Sequence, residues 1–496
     1  MRKQTKLVAV LSAAALLAMG ASMTSFAAGW EKDDSGIWHY YDSDDEMVTG
    51  EWKKDGGKWF YLDDDGEMLT DSWVDDEYYV GEDGAMLINT WKKTLADEDM
   101  DDPEDDGEAW YYFGSKGKKT TDESKKINGK TYFFNEDGKM RDGWYQDGED
   151  VYYLGEEDDG ARTSGWLWLE VPDEEDVTVN GHSDDEDICD EEGWYYFGSN
   201  GKMYKDAKKK KVNGKYYFFN AHGQMLYEWI NGAKVSAGSN AQLDGNAATP
   251  GAAEAGNMIY ANVVEEGWRA DGWYEIDGAE DTASNNDTDW YYFKDGEAKR
   301  AKNSVNGLKD GSDTANVYRE KIKVNGKYFC FNEIGQMQTG LQFIEGNTYY
   351  FDENGYMKTG KVANVEEEND SFTYYFQTKN GGNGKGVTGE KDGYLYWNGK
   401  RLEADDDYKV YKVEGSYYLV NNKGKIQKSK TKKYDVENTG AEDVIFAFNG
   451  NKIDEANSSV EAKKEIAESA LPRIELMDSV ITTDGSKGDV QIKDAK

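Results

Sequence analysis

A short repeated unit constrains the fold of this chain more than any other feature. The copy over residues 340–359, GLQFIEGNTYYFDENGYMKT, contains a Gly-Asn pair, an aromatic strand pattern and a second turn, and the Thr-Gly at its end opens the next copy. The pair Gly346-Asn347 between two strand patterns is typical of a tight hairpin. One hairpin cannot bury its own face, so copies must stack on their neighbours. The repeat therefore predicts an all-β solenoid of stacked β-hairpins.

The repeat runs through most of the chain in single and double copies. Three single units occupy residues 29–49, 50–70 and 71–90. A longer double unit then combines WYYF with an Asn-Gly hairpin, and it occurs three times along the chain. The Asn-Gly pairs favour a type I′ turn because both central residues of that turn need positive φ. These pairs are Asn128-Gly129, Asn213-Gly214 and Asn325-Gly326.

The composition shows what such a solenoid would use as its core. The chain has 16 Trp, 35 Tyr and 17 Phe, together with 55 Gly. Large rings at repeated positions can therefore supply the buried surface that aliphatic side chains supply in most domains. The net charge of -41 is then a surface property. It favours solubility and disfavours nucleic acid, whose phosphates it would repel.

The first residues predict an exported protein. Three cations, Arg2, Lys3 and Lys6, precede an apolar run over residues 7–21, and small residues flank position 26. This pattern is typical of a signal peptide, here residues 1–27. The apolar run is short for a membrane span, so we expect no transmembrane anchor. An uncleaved anchor is the alternative interpretation of the same segment.

The domain plan follows from where the aromatic repeat stops. Repeats occupy residues 28–434, and residues 435–496 form a C-terminal cap segment that ends in a polar tail from 482. Within the cap, Ser458 and Glu461 have the spacing of a helical capping box. A short helix should follow, with Val460, Lys464, Ala467 and Leu471 about one face and Pro472 as its stop, and a strand should lie near residues 444–448.

Insertions interrupt the repeat at one kind of position. The segments 93–109, 170–192, 275–289 and 362–372 all fall between the opening of a unit and its aromatic strand. They should therefore be loops at hairpin tips, where extra length is tolerated. A different insertion, 231–257, is rich in Ala, Gly and Asn and is typical of a flexible linker.

The sequence gives little support for catalysis, a metal or a cofactor. The three histidines, His39, His182 and His222, have no recurring partners. No phosphate-binding loop, zinc spacing or nucleophile elbow is present. The acidic run that begins at Asp63 lacks the spaced ligands of a calcium loop, so turn chemistry explains it better. We therefore predict a protein that is not an enzyme and has no cofactor and no metal site.

The two cysteines are not expected to form a disulfide. Cys189 lies in an acidic loop and Cys330 in an aromatic strand, many repeats away. An exported domain held by disulfides would contain more cysteines. Cys330 occupies the position that Phe218 has in another copy, so it is interpreted as a core residue.

The units 50–70 and 340–359 resemble the cell-wall-binding repeats of Gram-positive surface proteins. That family includes the choline-binding repeats and the related glucan-binding and clostridial-toxin repeats. The resemblance covers roughly residues 29–433, with the insertions as gaps. It implies a left-handed superhelix of hairpins with ligands held between neighbours. Later units carry YYF without a paired Trp, and are more similar to the glycan-binding members.

The resemblance also implies candidate ligand residues. In choline-type sites, the opening Trp and the first aromatic residue of a strand combine with an aromatic residue of the next unit, near a Met. Applied to this chain, the pattern gives two sets, Trp30, Trp38 and Trp52 with Met47, and Trp52, Trp59 and Trp73 with Met68. The alternative for each ring is a packing role in the core.

The resemblance and the chemistry lead to one functional hypothesis with two alternatives. We expect a secreted, noncatalytic protein that associates noncovalently with the cell wall by binding wall polysaccharide or teichoic acid, with choline as one candidate ligand. The first alternative is an adhesin or scaffold whose acidic loops bind a protein or host glycan while the repeats act as a stalk. The second is a targeting part of a wall hydrolase that acts in trans.

Overall fold

The computed structural model describes most of the repeat region and of the C-terminal segment. The described residues are 29–97, 107–169, 192–231, 244–247, 255–277, 288–302, 305–308, 316–367, 370–378, 383–477, 481–482, 485–486 and 489–495. The predicted signal peptide, most of the segments 170–192 and 231–257, His182 and Cys189 lie outside them. The chain divides into two compact units, one formed by residues 1–208 and 218–225 and the other by residues 209–217 and 226–496.

The strands are short and follow one another along the chain. Up to residue 197 they are Gly29–Lys32, Trp38–Tyr41, Glu51–Asp55, Lys58–Leu62, Ser72–Val74, Tyr78–Val80, Thr90–Thr94, Ala109–Phe113, Ser124–Ile127, Lys130–Phe133, Trp144–Asp147, Asp150–Tyr153, Gly165–Leu169 and Gly193–Phe197. They continue as Ala207–Val212, Lys215–Phe219, Met225–Leu226, Glu228–Asn231, Asp244–Ala247, Ile259–Ala261, Gly272–Asp277, Thr288–Lys294, Glu297–Ala298, Val305–Leu308, Asn316–Val324, Lys327–Asn332, Met337–Gln338, Gly340–Ile344 and Asn347–Phe351.

The remaining elements include the described helix. The strands are Gly360–Glu367, Asp370–Phe376, Gly389–Lys391, Tyr394–Trp397, Lys400–Arg401, Tyr408–Val413, Ser416–Asn421, Tyr434–Val436, Ala441–Val444, Phe448–Asn449, Lys452–Ile453, Arg473–Met477, Ile481–Thr482, Gly485–Ser486 and Asp489–Lys493. The helix is Val460–Glu465.

The all-β class with successive hairpins is confirmed. Most sheets contain two to four strands, and neighbours in sequence pair antiparallel, as Glu51–Asp55 does with Lys58–Leu62. The Asn-Gly turns have the backbone that the sequence predicts. Asn128 has φ 49° and Gly129 has φ 87°, and the other two pairs show the same signs. Positive φ at both residues matches the right-handed twist of the flanking strands.

Aspartate side chains close the second turn in several units. The Asp63 carboxylate accepts hydrogen bonds from the backbone N–H groups of Asp65 (3.0 Å) and Glu67 (2.8 Å). Asp42 accepts equivalent bonds from two backbone N–H groups, which hold its pKa below the usual value. Asx side chains satisfy turn amides in this way. Turn chemistry therefore accounts for the acidic run at Asp63.

A repeated backbone hydrogen bond couples each hairpin to the next. The N–H of Met86 donates to the carbonyl oxygen of Trp59 in the preceding hairpin at 2.7 Å, while the next amide, that of Leu87, donates to Tyr79 in its own hairpin. The same inter-hairpin bond recurs in both compact units. Its donor and acceptor pairs include Met68 and Trp38, Met140 and Trp110, Met203 and Val151, Arg269 and Tyr216, and Met357 and Tyr328.

The side chain at this coupling position lies against a glycine of the following turn. A Cβ atom added to Gly84 would lie 2.7 Å from Cε of Met68, and Gly84 also has φ +72°. Met47 stands in the same relation to Gly66. Each of these glycines is therefore required twice, by its backbone conformation and by the close approach of the methionine.

Rings fill the interior of each junction. In one cluster Trp73, Tyr79, Tyr111 and Phe113 are all buried, with ring centroids of Trp73 and Tyr111 4.9 Å apart. Phe134 and Phe219 are buried as well. Cys330 is buried and free, and burial raises the pKa of its thiol to about 12. The interpretation of Cys330 as a core residue is thus confirmed.

Two predicted loops differ from what is observed. Residues 362–367 and 370–372 belong to the paired strands Gly360–Glu367 and Asp370–Phe376, in which Val365 is buried. Residues 275–277 and 288–289 extend another hairpin. The reason is that these insertions retain enough strand-forming residues to prolong the ladder before the chain turns.

The C-terminal segment also differs in detail. The helix is capped by Ser459 rather than Ser458, with the Ser459 side chain accepting from the N–H of Ala462, and it ends at Glu465, before Ala467 and Leu471. Strands occur at Ala441–Val444 and Phe448–Asn449. The predicted polar tail included residues 489–493. These residues instead form a strand that pairs with Arg473–Met477, because strand alternation places Val490 in a buried position.

The contact between methionine and glycine gives a testable prediction. Gly84→Ala should destabilise the protein by about 2 to 4 kcal/mol, because an αL alanine costs about 1 to 2 kcal/mol and overpacking adds about 1 to 3 kcal/mol. Gly57→Ala is the matched control, since Gly57 has φ +84° with nothing near its added Cβ, and it should show the conformational cost alone. Urea unfolding measures both. Equal losses of unfolding free energy in the two variants would show that the contact of Met68 with Gly84 does not restrict this position.

Candidate ligand site between adjacent hairpins

A cavity of about 560 Å³ lies between the hairpin of residues 51–62 and the one that follows. Its walls are mainly aromatic and its volume suits a small ligand or one or two sugar rings. The residues that line it are Trp52, Gly57, Trp59, Tyr78, Met86, Ile88, Ser115 and Lys116.

The strand register brings the two tryptophans to one face. Trp52 lies opposite Tyr61, and Lys54 lies opposite Trp59. Because alternate residues of a strand share a face, Trp52 and Trp59 both point to the same side of the hairpin. Trp59 is 40% exposed, so one ring of the cavity remains open to solvent.

The next hairpin completes the cavity. The ring centroids of Trp52 and Tyr78 are 5.4 Å apart at an interplanar angle of 65°. The coupling bond from Met86 to the Trp59 carbonyl fixes the methionine beside that ring. Three rings and a thioether thus surround a space that one hairpin alone could not form.

Two lysine ammonium groups lie over rings of the cavity. The Lys54 ammonium lies 5.6 Å from the centroid of the Trp59 ring, and the Lys118 ammonium lies 5.5 Å from that of Tyr78. Cations over aromatic faces gain roughly 0.5 to 2 kcal/mol, depending on exposure. The cavity can therefore accept an organic cation between rings or the C–H face of a sugar against them.

Family models match the chain in six segments. Models described as choline-binding repeat match residues 46–86, 123–166 and 338–386, and a model described as putative cell wall binding repeat matches residues 28–44, 104–119 and 188–203. The first of these segments contains the four residues Trp52, Trp59, Tyr78 and Met86 that surround the cavity. These segments are similar to choline-binding and cell-wall-binding repeats.

Two curated relatives contain similar repeats. Glucosyltransferase-S of Streptococcus mutans is 26% identical over 291 residues, which are 56% of this chain and 17% of that protein. Glucosyltransferase-I of Streptococcus downei is 26% identical over an alignment of 296 residues that covers 50% of this chain and 16% of that protein. The chain thus spans less than a fifth of the length of either relative.

Solved structures with some likeness come from Streptococcus pneumoniae. The modular autolysin LytC is 19% identical, with 69% of this chain and 57% of that chain covered and a TM-score of 0.33. The choline-binding domain of CbpL is 25% identical, with 40% of this chain and 97% of that chain covered and a TM-score of 0.26. Choline-binding protein F is 21% identical, with 76% and 100% covered and a TM-score of 0.26.

Of the second predicted set, the structure brings together Trp52 and Trp59 only. Trp73 is 6% exposed, packs in the core, and donates from its indole N–H to the carbonyl oxygen of Leu95. The side chain of Met68 lies on Gly84. The places expected for Trp73 and Met68 in the cavity are occupied by Tyr78 and Met86.

The first predicted set is rearranged in the same way. Trp30 contacts Phe60 of the next hairpin at 5.1 Å between centroids, which is the place expected for Trp52. Trp38 has the Lys32 ammonium 5.5 Å from its ring. Met47 is exposed and lies on Gly66.

Sequence reasoning missed Tyr78 and Met86 because it took the opening Trp of the next unit as the third ring. The third ring instead comes from the aromatic strand of the next hairpin. In that strand, one residue accepts the coupling bond through its carbonyl oxygen, and the residue that follows it supplies the ring. Counting in this way identifies further sets. They are Trp91, Trp110, Tyr132 and Met140, with Trp91 and Tyr132 4.9 Å apart, and Trp273, Trp290, Phe329 and Met337, with Trp273 and Phe329 4.7 Å apart.

The opening tryptophans fall into two classes. Trp52, Trp91 and Trp273 are half-buried, and each of their units has a second tryptophan at the start of its aromatic strand. Others are buried against a fully buried tyrosine of the next unit. These closed junctions are formed by Trp73 with Tyr111, Trp144 with Tyr195, and Trp229 with Tyr291. Only the first class leaves rings accessible to a ligand.

This difference predicts opposite effects for two tryptophans of neighbouring units. Trp73→Ala should lower the free energy of unfolding by about 3 to 5 kcal/mol, because it removes a buried ring and leaves a cavity. Trp59→Ala should cost less, about 1 to 2 kcal/mol, since Trp59 is 40% exposed and less of its surface is buried on folding. Thermal and urea unfolding of the two variants measure the difference. Similar losses of unfolding free energy in the two variants would show that Trp59 is a packing residue.

Proposed function

We propose that the protein is a secreted, noncatalytic cell-wall-binding protein that holds choline, or a wall polysaccharide, between adjacent hairpins. The observation that carries the proposal is the cavity formed by Trp52, Trp59, Tyr78 and Met86. A trimethylammonium group has no N–H to donate, so rings that surround it are a suitable chemical partner. The methionine adds a soft, polarisable wall.

The charge of the protein supports a cationic ligand. With a net charge of -41, the surface attracts cations and repels free anions over the screening distance of about 8 Å at physiological salt. A choline group that approaches the protein is therefore attracted by the overall charge, and inside the cavity it meets ring faces.

A glucan is the second candidate ligand, and the two glucosyltransferase relatives favour it. Aromatic rings stack against the C–H faces of sugars as readily as they surround a cation. The two ligands differ in their response to the field of the protein, since only choline carries charge. Increasing salt should therefore weaken choline binding more than glucan binding.

The noncatalytic part of the proposal is supported by what the acidic turn residues do. Asp33 and Asp42 are engaged by backbone N–H groups that lower their pKa values, so these carboxylates serve turns and are poor general acids. Attachment to the wall would be noncovalent and would follow export. In the part of the chain that the structure describes, no helix is both long and apolar enough to cross a membrane.

Ligand-dependent stabilisation tests the proposed function. Choline at one hundred times its Kd should stabilise the wild-type protein by about 2.7 kcal/mol per site coupled to global unfolding. Trp59→Ala should lose the contribution of this cavity. Trp168→Ala is the matched control, because Trp168 is exposed but lies outside the cavity, and it should keep the full shift.

The same three proteins can be compared in a wall pull-down. Purified walls should retain the wild type and Trp168→Ala better than Trp59→Ala, and free choline should elute them. Elution by soluble glucan but not by choline would assign the glucan as ligand. Retention that neither ligand reverses would favour the alternative in which acidic loops bind a protein or host glycan.

A further inference from the structure

A second junction with accessible rings has carboxylates at its edge. It is formed by Trp91, Trp110, Tyr132 and Met140, and we call it the Trp110 junction. Lys93 lies opposite Trp110 and two residues after Trp91, so these three side chains share one face of their hairpin. Tyr132 belongs to the hairpin that follows.

The same register position holds a lysine at both junctions, but the two ammonium groups have different neighbours. Lys54 lies opposite Trp59, and its ammonium is 5.6 Å from the centroid of that ring. Lys93 lies opposite Trp110, yet its ammonium is 3.0 Å from the Asp158 carboxylate. Asp158 therefore holds the second lysine beside the tryptophan ring rather than over it.

Asp158 also contacts the tryptophan itself. The indole N–H of Trp110 donates to the Asp158 carboxylate at 3.0 Å. This hydrogen bond and the nearby Lys93 hold the pKa of Asp158 below its usual value, so the carboxylate is ionised at neutral pH. The Glu157 carboxylate lies 3.7 Å from the Lys93 ammonium. Two carboxylates thus face one ammonium, which leaves a negative charge at the edge of the indole.

The turn that supplies Asp158 has an equivalent at the cavity of Trp52. Asp158 lies two residues before the turn glycine that contacts Met140. In the equivalent turn, the residue two before the glycine is Ser115, which lines the cavity together with Lys116. None of the residues that line the cavity is acidic. The two junctions therefore share one backbone plan but differ in charge at their edges.

This difference changes what a cationic ligand meets. Among the described residues, no lysine or arginine lies over the Trp110 ring, whereas the Lys54 ammonium lies over Trp59. A cation that binds on Trp59 competes with that ammonium. On Trp110 it meets an uncovered ring, whose hydrogen bond to a carboxylate polarises the indole and makes its face more negative.

We propose that Asp158 makes the Trp110 junction selective for an organic cation over a neutral ligand of the same shape. The inference rests on the proposed function, since it assigns a charge preference to one of the aromatic junctions. Asp158 acts through two neighbours, by holding Lys93 off the ring and by placing negative charge beside Trp110. The cavity at Trp52 has neither feature, so it discriminates less by charge and suits a neutral sugar better.

The test compares choline with its neutral carbon analogue, dimethylbutanol, in which a carbon atom replaces the nitrogen. Both are titrated into the full chain while the methionine methyl groups are followed by NMR. The methyl group of Met140 reports on the Trp110 junction and that of Met86 on the cavity at Trp52, and substitution of each by Leu assigns its signal. The preference for choline should be about three- to tenfold greater at Met140 than at Met86.

Asp158→Asn removes the charge and keeps an oxygen that can accept from the indole N–H. It should weaken choline binding at Met140 by about three- to tenfold and leave dimethylbutanol binding unchanged. A purely structural role of Asp158 would weaken both ligands alike. Asp271→Asn is the matched control, because it changes the net charge equally but removes a partner of Lys294 in the second compact unit. It should leave both titrations at Met140 unchanged.

Lys54→Gln tests the competition for the ring from the other side. It removes the ammonium over Trp59, so choline binding at Met86 should strengthen while dimethylbutanol binding stays the same. The preference for choline at Met86 should then approach that at Met140. A weaker preference for choline in this variant would contradict the proposal.

Equal preference for choline at the two methyl groups of the wild type would overturn the inference, as would an unchanged preference in Asp158→Asn. In either case choline binding itself would remain, so the proposed function would stand. Absence of choline shifts at both methyl groups would instead contradict the choline site of the proposed function, and the charge preference with it.

Discussion

The repeat structure depends on one backbone hydrogen bond between successive hairpins. Its donor is the amide at the position of Met86, and its acceptor is a carbonyl oxygen in the aromatic strand of the preceding hairpin. A two-stranded hairpin is only marginally stable by itself. The bond from Met86 to Trp59 and the bond from Leu87 to Tyr79 hold one short strand between two hairpins. The methionine on a turn glycine then sets the spacing, because that glycine admits no side chain.

This coupling also determines which junctions keep aromatic rings accessible to solvent. It places the residue that follows the acceptor of the coupling bond against the opening tryptophan of the unit before it, as Tyr78 lies against Trp52 and Tyr111 against Trp73. Where the earlier unit begins its aromatic strand with a tryptophan, the junction keeps accessible rings. Where that position is Glu77, as in the unit of Trp73, the junction is closed and serves the core. One backbone arrangement therefore produces both junctions with accessible rings and closed junctions.

Charge has separate roles in different parts of the repeat. Carboxylates close the second turns by accepting backbone N–H groups, as Asp63 does. Lysines lie beside the Asn-Gly turns, where some pair with carboxylates and others remain over tyrosine rings. The net charge does not describe these two arrangements. What each surface can attract depends on how acidic and basic side chains are distributed over the turns and strands.

The sequence alone determined the class of fold, because turn pairs such as Asn128-Gly129 and alternating rings permit few structures other than stacked hairpins. It also indicated Trp52 and Trp59, which share a hairpin and whose relation is local. It did not identify Tyr78 and Met86, or the burial of Trp73, because these depend on the register between hairpins, which is set by bonds across the junction. The strand at Asp489–Lys493 escaped prediction for the same reason, since its partner and the buried place of Val490 exist only in the tertiary structure.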